Sequence, residues 1–401
     1  MPGVLSEDDW RELYTGILGV LPVRDTSTQR QALAPLARVY RHLDDEGRAA
    51  FLRRAAAELG VDPAAARAAA ERLLHDPADP EAQVAMRRAL SPRFADLLHL
   101  LTGLPRGVKL LVDLRADLRQ LLRGELPMAE LELEEHLAAV FDVGLLQLEQ
   151  ITWSSPADLL EKLIEYEAVH EIQGWDDLRR RLAADRRCFA FLHPAMPGEP
   201  VVFVEIALTT GTPTNMAELL ERAGPDTRPE EADTAVFYSI TSCQPGLAGI
   251  NLGNELLKKV VAELRSELPN LQRFVTLSPI PSLRKAELDL PAEVRAELDA
   301  GAWVDGDDTA VREPLLRATA RYLTTLDGGR VRDPVANFHL SNGALVDALR
   351  WRANTHDYGL TDSWGVMVSY RYDPERIAAN AAAYDAGERV AHSDEIARLL
   401  A

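Results

Sequence analysis

Ala235-Val236-Phe237-Tyr238-Ser239-Ile240, then the loop Ser242-Cys243-Gln244-Pro245-Gly246-Leu247-Ala248-Gly249-Ile250-Asn251-Leu252-Gly253-Asn254, decide the fold of this chain. The first six residues are largely β-branched, aromatic or apolar, the composition of a strand. After the loop, Leu256, Leu257, Val260, Val261 and Leu264 form an apolar stripe at helical spacing, which predicts a helix over roughly residues 252–264. Arg273 to Leu277 then reads as a second strand. Strand, glycine-containing loop, helix and strand make a crossover unit, which places the loop, backed by a helix N-terminus, where a phosphate would sit. Gly246, Gly249 and Gly253 let backbone approach a ligand without a Cβ in the way and leave amides free to bind it. Taken alone, the same pattern equally describes a turn whose glycines serve packing or capping.

Working outward, Val201 to Leu208 is nearly continuous in apolar residues, as a strand covered on both faces should be. Val366 to Tyr372 is a further strand, in which Tyr370 and Tyr372 read as sheet residues, with contact between one of them and a site as the lesser alternative. His193 and Glu205 are polar residues beside apolar runs, without an assigned role. One more helix is expected from Pro156 to about His170. Before residue 150 the texture is helical throughout, broken by Asp62-Pro63, Asp79-Pro80, Ser91-Pro92 and, just beyond, Ser155-Pro156. Each pairs a capping side chain with a proline suited to the first helical position. Leu110, Leu111, Leu114, Leu118, Leu121 and Leu122 share one helical face and predict packing within a bundle. His42, His75, His99 and His136 are isolated from one another in sequence, and Glu130 to Glu135 reads as a solvated face, so this half carries little visible chemistry. At 401 residues the chain exceeds what one core usually holds. The expected division is a helical domain over residues 1–150 and a mixed α/β domain over residues 151–401.

The formal net charge of −19 argues against nucleic acid or an anionic membrane as the main partner, so an anionic ligand must be held locally by amides and a few cations. Only Cys188 and Cys243 occur, without disulfide or metal-ligand spacing, which points to a reducing compartment and no metal. The N-terminus MPGVLSEDDW lacks the features of a secretory or transit peptide, the C-terminal ARLLA is not a peroxisomal address, and no apolar run approaches the ~18 residues of a membrane span. The expectation is a cytoplasmic protein with no membrane segment.

The loop resembles the acyl-CoA loop of the acetyltransferase (GNAT) fold, Gln/Arg-x-x-Gly-x-Gly/Ala, with Leu247 standing where the first glycine belongs. A wider resemblance is carried by Phe237-Tyr238-Ser239-Ile240, the loop and its helix, Leu277-Ser278-Pro279-Ile280-Pro281 and Asn337-Phe338-His339-Leu340-Ser341-Asn342-Gly343-Ala344. Glu167-Ala168-Val169-His170, Pro197-Gly198-Glu199-Pro200 and Tyr370-Arg371-Tyr372 add to it. From about Ile151 to the C-terminus the chain resembles the malonyl-CoA decarboxylase family. The resemblance implies an N-terminal all-α helical bundle followed by a GNAT-like mixed α/β catalytic domain (α + α/β). The implied activity is that of a carboxy-lyase taking malonyl-CoA to acetyl-CoA and carbon dioxide through a thioester enolate, with no cofactor. In this reading His339 is the proton donor, projecting from a loop ahead of a helix that starts near Gly343 with Ser341 or Asn342 as cap. Ser278 is the proton acceptor, assigned to hydrogen bonding and proton relay because no Gly-x-Ser-x-Gly elbow surrounds it. Malonyl-CoA binding falls on Ala248, Gly249, Ile250, Asn251, Leu252, Gly253 and Asn254, with Ser239 as a further polar contact. Ile250 and Leu252 would pack the helix while their amides face the ligand. The resemblance also suggests a homotetramer built as a dimer of dimers. Competing readings are a CoA-dependent acyltransferase on the same fold, a non-catalytic acyl-CoA-binding protein and a thioesterase.

Overall fold

The computed structural model describes residues 7–20, 26–142, 144–220, 228–250, 252–304 and 306–401. They fall into two compact units, one made of the described residues within 1–147, 192–201 and 242–252, the other of those within 148–191, 202–241 and 253–401.

In the first unit the aspartate-proline pairs act as expected. Asp62 accepts from the amides of Ala64 and Ala65, Asp79 accepts from that of Glu81, and the following proline opens the helix in both cases. The serine-proline pairs behave differently. Ser91 closes the helix Pro80–Leu90, while Pro92 and Pro156 themselves stand at the N-cap of Arg93–Thr102 and Ala157–Tyr166, without a side-chain capping bond. The proline ring fixes φ at the cap position but offers no acceptor to the first amides of these helices. The helix Gly107–Leu121 buries Val108, Leu110, Leu111, Leu114 and Leu118, and each such side chain stabilises by roughly 1.5–3 kcal/mol. Nor are all the histidines isolated. Helices Arg93–Thr102 and Pro127–Val140 bring the His99 and His136 rings to 4.6 Å, and His136 Nε2 lies 2.7 Å from the Thr102 hydroxyl.

The second unit is built on a seven-stranded sheet in the order β1-β2-β3-β4-β5-β7-β6. The strands are β1 Gln147–Ile151, β2 Arg186–Leu192, β3 Pro200–Thr209, β4 Thr234–Ser242, β5 Arg273–Thr276, β6 Leu345–Arg350 and β7 Met367–Arg371. Every residue of β3 is buried, as its apolar run demands. Its one carboxylate, Glu205, is held by Arg181 at 2.9 Å. Strands β4 and β5 pair in parallel from Thr234↔Arg273 to Phe237↔Thr276, and the chain between them includes the helix Gly253–Glu267, so the crossover is present. Strand β7 runs antiparallel to both β5 and β6, which makes the sheet mixed.

Past Phe237 the two parallel strands part. The Ser278 backbone instead exchanges bonds with Val368, at 2.8 and 3.0 Å, as an isolated antiparallel bridge. Pro279, which follows it, favours this extended backbone. Strands β1, β2 and β6 were not visible in the sequence pattern. The sequence Gln147-Leu148-Glu149-Gln150-Ile151 is too polar to announce a strand, and β6 lies where a helix was expected.

Candidate active site

His339 does not sit on a loop ahead of a helix. It lies in the last turn of the helix Pro334–Ser341, which Asp333 caps by accepting from the Val335 and Ala336 amides. Asp333-Pro334 is the same start signal that opens the helices at Pro63 and Pro80. Gly343 ends this helix and does not begin one. Its φ is +79°, and a Cβ there would meet the Ile377 carbonyl at 2.1 Å, so only glycine fits before the chain enters β6.

The ring of His339 is buried and contacted on three sides. Nε2 is 3.1 Å from the Ser278 hydroxyl, Nδ1 is 2.8 Å from the Tyr372 hydroxyl, and the Tyr370 ring stacks at 4.5 Å between centroids. Ser278 Oγ donates to Thr276 Oγ1 at 2.9 Å, and Thr276 Oγ1 also accepts the Tyr370 N–H at 3.1 Å. With the serine proton directed to Thr276, the consistent assignment has Nε2–H donating to Ser278 and Nδ1 accepting from Tyr372. Burial pushes His339 down to about 3, so the imidazole is neutral near pH 7. Burial also carries the Tyr372 hydroxyl well above its ordinary range, against a smaller opposing effect of the Asn342 side chain. Sequence reading named Ser278 and His339 as candidates, with Tyr372 as a weaker one, and the structure joins the three by hydrogen bonds. That reading missed Thr276, because a threonine in a strand carries no signal of its own.

Ser239 is engaged by a different group. Its hydroxyl donates to Glu167, lying 2.8 Å from each carboxylate oxygen, and Thr241 donates to the same carboxylate at 2.9 Å. Glu167 also accepts the Val169 and His170 amides, at 2.9 and 2.7 Å. No hydrogen bond joins Ser239 to Ser278 or His339 among the described residues. His193 is structural: its Nδ1 accepts from the Ala195 amide at 3.1 Å, so Nε2 donates to the Val140 carbonyl at 3.0 Å.

The loop belongs to the unit that holds the N-terminal helices. Pro245–Leu247 is a single 3-10 turn, and Ala248 and Gly249 stand exposed at its crest. The expectation that the Ile250 and Leu252 amides face a ligand is not met. Ile250 N donates to the Leu247 carbonyl at 3.0 Å and Leu252 N to the Ile250 carbonyl at 2.9 Å, while the Leu252 side chain is buried. Asn251 lies outside the described residues, as does the side chain of Asn254; Gly253 opens the crossover helix.

Sequence reading also missed Arg115 and Glu134, on the half that looked chemically silent. Arg115 is completely buried; its Nη1 donates to the Gly246 and Ala248 carbonyls, both at 2.8 Å, and its Nη2 pairs with Glu134 at 2.6 Å. The signal was available: Arg115 follows Leu111 by four residues on the apolar face, where a charge requires partners. Glu130 likewise pairs with Arg119 at 2.8 Å, so the acidic run is only partly a solvated face.

Helices followed by a mixed sheet with a loop-and-helix crossover define a two-part α plus α/β protein. The family model described as malonyl-CoA decarboxylase N-terminal domain matches residues 59–142, and that described as malonyl-CoA decarboxylase C-terminal domain matches residues 144–401. The mitochondrial malonyl-CoA decarboxylase of Mus musculus is 36% identical over 364 residues, covering 80% of this chain and 74% of the relative. That of Anser anser anser is 34% identical over 358 residues, covering 79% and 71%. Crystal structures of malonyl-CoA decarboxylases from Rhodopseudomonas palustris and Agrobacterium vitis superpose with TM-scores of 0.89 and 0.91, each at 37% identity over 97% of this chain and 99% of theirs. The chain belongs to the malonyl-CoA decarboxylase family.

Proposed function

We propose that this chain decarboxylates malonyl-CoA to acetyl-CoA and carbon dioxide. The observation that carries the reading is the buried hydrogen-bonded chain Ser278, His339, Tyr372 in a member of this family. When the malonyl carboxylate leaves, the electrons of its C–C bond move onto the thioester, which serves as its own electron sink. Donors fixed in a dry site stabilise the resulting enolate oxygen without reorganising. The proton then delivered to the α-carbon comes from His339 Nε2. A substrate carboxylate or enolate against the ring favours its protonated form and opposes the effect of burial. Tyr372 holds the tautomer. Ser278 relays or positions, and its bond to Thr276 speaks against a nucleophilic, thioesterase-like role, since no base takes its proton.

The same proposal assigns residues 151–401 to catalysis and residues 1–150 to assembly as a dimer of dimers. The exposed apolar side chains of Val61, Leu90 and Met128 in the helical unit support an interface there. A cytoplasmic setting fits the two buried cysteines, neither of them in a disulfide, and among the described residues no helix is long and apolar enough to cross a membrane. The test is to incubate the purified protein with malonyl-CoA and no acceptor, following carbon dioxide, acetyl-CoA and free CoA separately. Stoichiometric carbon dioxide and acetyl-CoA are expected; free thiol alone, or no turnover, refutes the proposal. Light scattering of the same sample tests the tetramer.

A further inference from the structure

Arg115 lies on the helix Gly107–Leu121, yet its guanidinium serves the loop of residues 242–252. Nη1 draws two loop carbonyls, Gly246 O and Ala248 O, toward that helix at 2.8 Å each. The peptide bonds are trans, and in a trans peptide the carbonyl of one residue and the N–H of the next point in opposite directions. Turning the Ala248 carbonyl inward therefore turns the Gly249 N–H outward. The neighbouring amides are bonded within the loop, Leu247 N to Gln244 O, Ala248 N to Pro245 O and Ile250 N to Leu247 O, whereas the Gly249 N–H has no partner among the described residues. Gly249 is exposed and has φ +91°, which lets the backbone hold this posture. A second contact fixes the same loop: a Cβ on Gly246 would stand 1.9 Å from the Val112 carbonyl, so the loop backbone lies directly against the helix.

We propose that Arg115 is a positioning residue of the substrate site, which aims and polarises the Gly249 amide toward the pyrophosphate of the acyl-CoA. This rests on the decarboxylase reading above. Arg115 does not touch the anion: it is completely buried, and Glu134 offsets its charge at 2.6 Å. Its contribution is to orient the Ala248–Gly249 peptide and, by donating to that peptide's carbonyl, to strengthen the N–H at the other end.

The discriminating comparison uses two substrates, malonyl-CoA and malonyl-pantetheine, which lacks the pyrophosphate. In Arg115→Lys a point ammonium replaces the planar fork and cannot reproduce its bonds to both carbonyls and Glu134. The KM for malonyl-CoA should rise ~10-fold or more, as for loss of a charge-assisted donor, with kcat and the KM for malonyl-pantetheine unchanged. Gly246→Ala displaces the loop without altering any side chain of the clamp and should give the same split. An equal rise with both substrates, or no rise in either folded variant, overturns the proposal. Hydrogen exchange on the wild-type protein needs no variant. Saturating acetyl-CoA should protect the peptide containing Gly249, and unchanged exchange there with bound ligand overturns the proposal equally. A wild-type protein that binds acetyl-CoA with this protection but releases no carbon dioxide would refute the decarboxylase reading and leave the loop assignment standing.

Discussion

Replacing Tyr372 by phenylalanine removes one oxygen from the most enclosed part of the site. The hydroxyl is 2.8 Å from His339 Nδ1, and both side chains are almost wholly buried, at 2% and 3% exposure. Phenylalanine keeps the ring volume and the edge contact with Phe237, so packing should survive. What is lost is the partner of a buried acceptor. Leaving such a group unpaired costs about 1–3 kcal/mol. The neutral imidazole also becomes free to place its proton on Nδ1, which leaves Nε2 as an acceptor facing Ser278. If the bond serves to hold Nε2–H for delivery, that cost falls on the transition state, and kcat should drop ~5- to 150-fold with little change in KM. The assay is steady-state release of carbon dioxide from malonyl-CoA, with thermal unfolding of the same sample. A folded variant with wild-type kcat refutes the orienting role. One with raised KM and unchanged kcat would move Tyr372 from chemistry to binding.

His339→Ala should lower turnover at least ~100-fold, the low end for a positioned acid–base group, with the protein still folded by circular dichroism; a variant that keeps most activity removes His339 from the mechanism. Acidification should weaken the fold through the same residue. Its folded value is about 3 against an ordinary 6.5, so between these the unfolded chain binds a proton that the folded chain does not, and stability falls as pH drops through that window. At pH 5 the difference is about 2 kcal/mol, from ~1.5 units at 1.36 kcal/mol each. Between pH 7 and pH 5 the wild-type denaturant midpoint should therefore fall further than that of His339→Gln, and parallel curves would contradict the buried neutral imidazole. Gly249→Val should weaken acetyl-CoA binding measured by calorimetry, because φ +91° suits glycine and strains a β-branched residue; unchanged affinity would place the phosphates elsewhere.

The elements legible from sequence were those whose signal is local. An apolar run announced β3, and the stripe from Leu256 to Leu264 announced the crossover helix. Aspartate-proline pairs announced helix starts, and the Asp333 start could have been read in the same way. Ser278 and His339 became candidates only through a family pattern, since neither a serine before proline nor a histidine beside phenylalanine is distinctive. Their meeting is a tertiary fact: the residues are 61 positions apart, and Ser278 is aimed by its bridge to Val368 on β7. Tyr372 reaches His339 across 33 positions, and Arg115 reaches the loop across 131 and 133. The value of about 3 for His339 likewise follows from its burial, which no neighbouring residue in sequence encodes. The sequence by itself determined which segments are helix and strand wherever periodicity and capping act over a few residues. Only the tertiary structure decided which side chains share a site, how their protons are arranged and which half of the chain shapes the loop, because desolvation and hydrogen-bond partnership depend on groups that packing alone brings together.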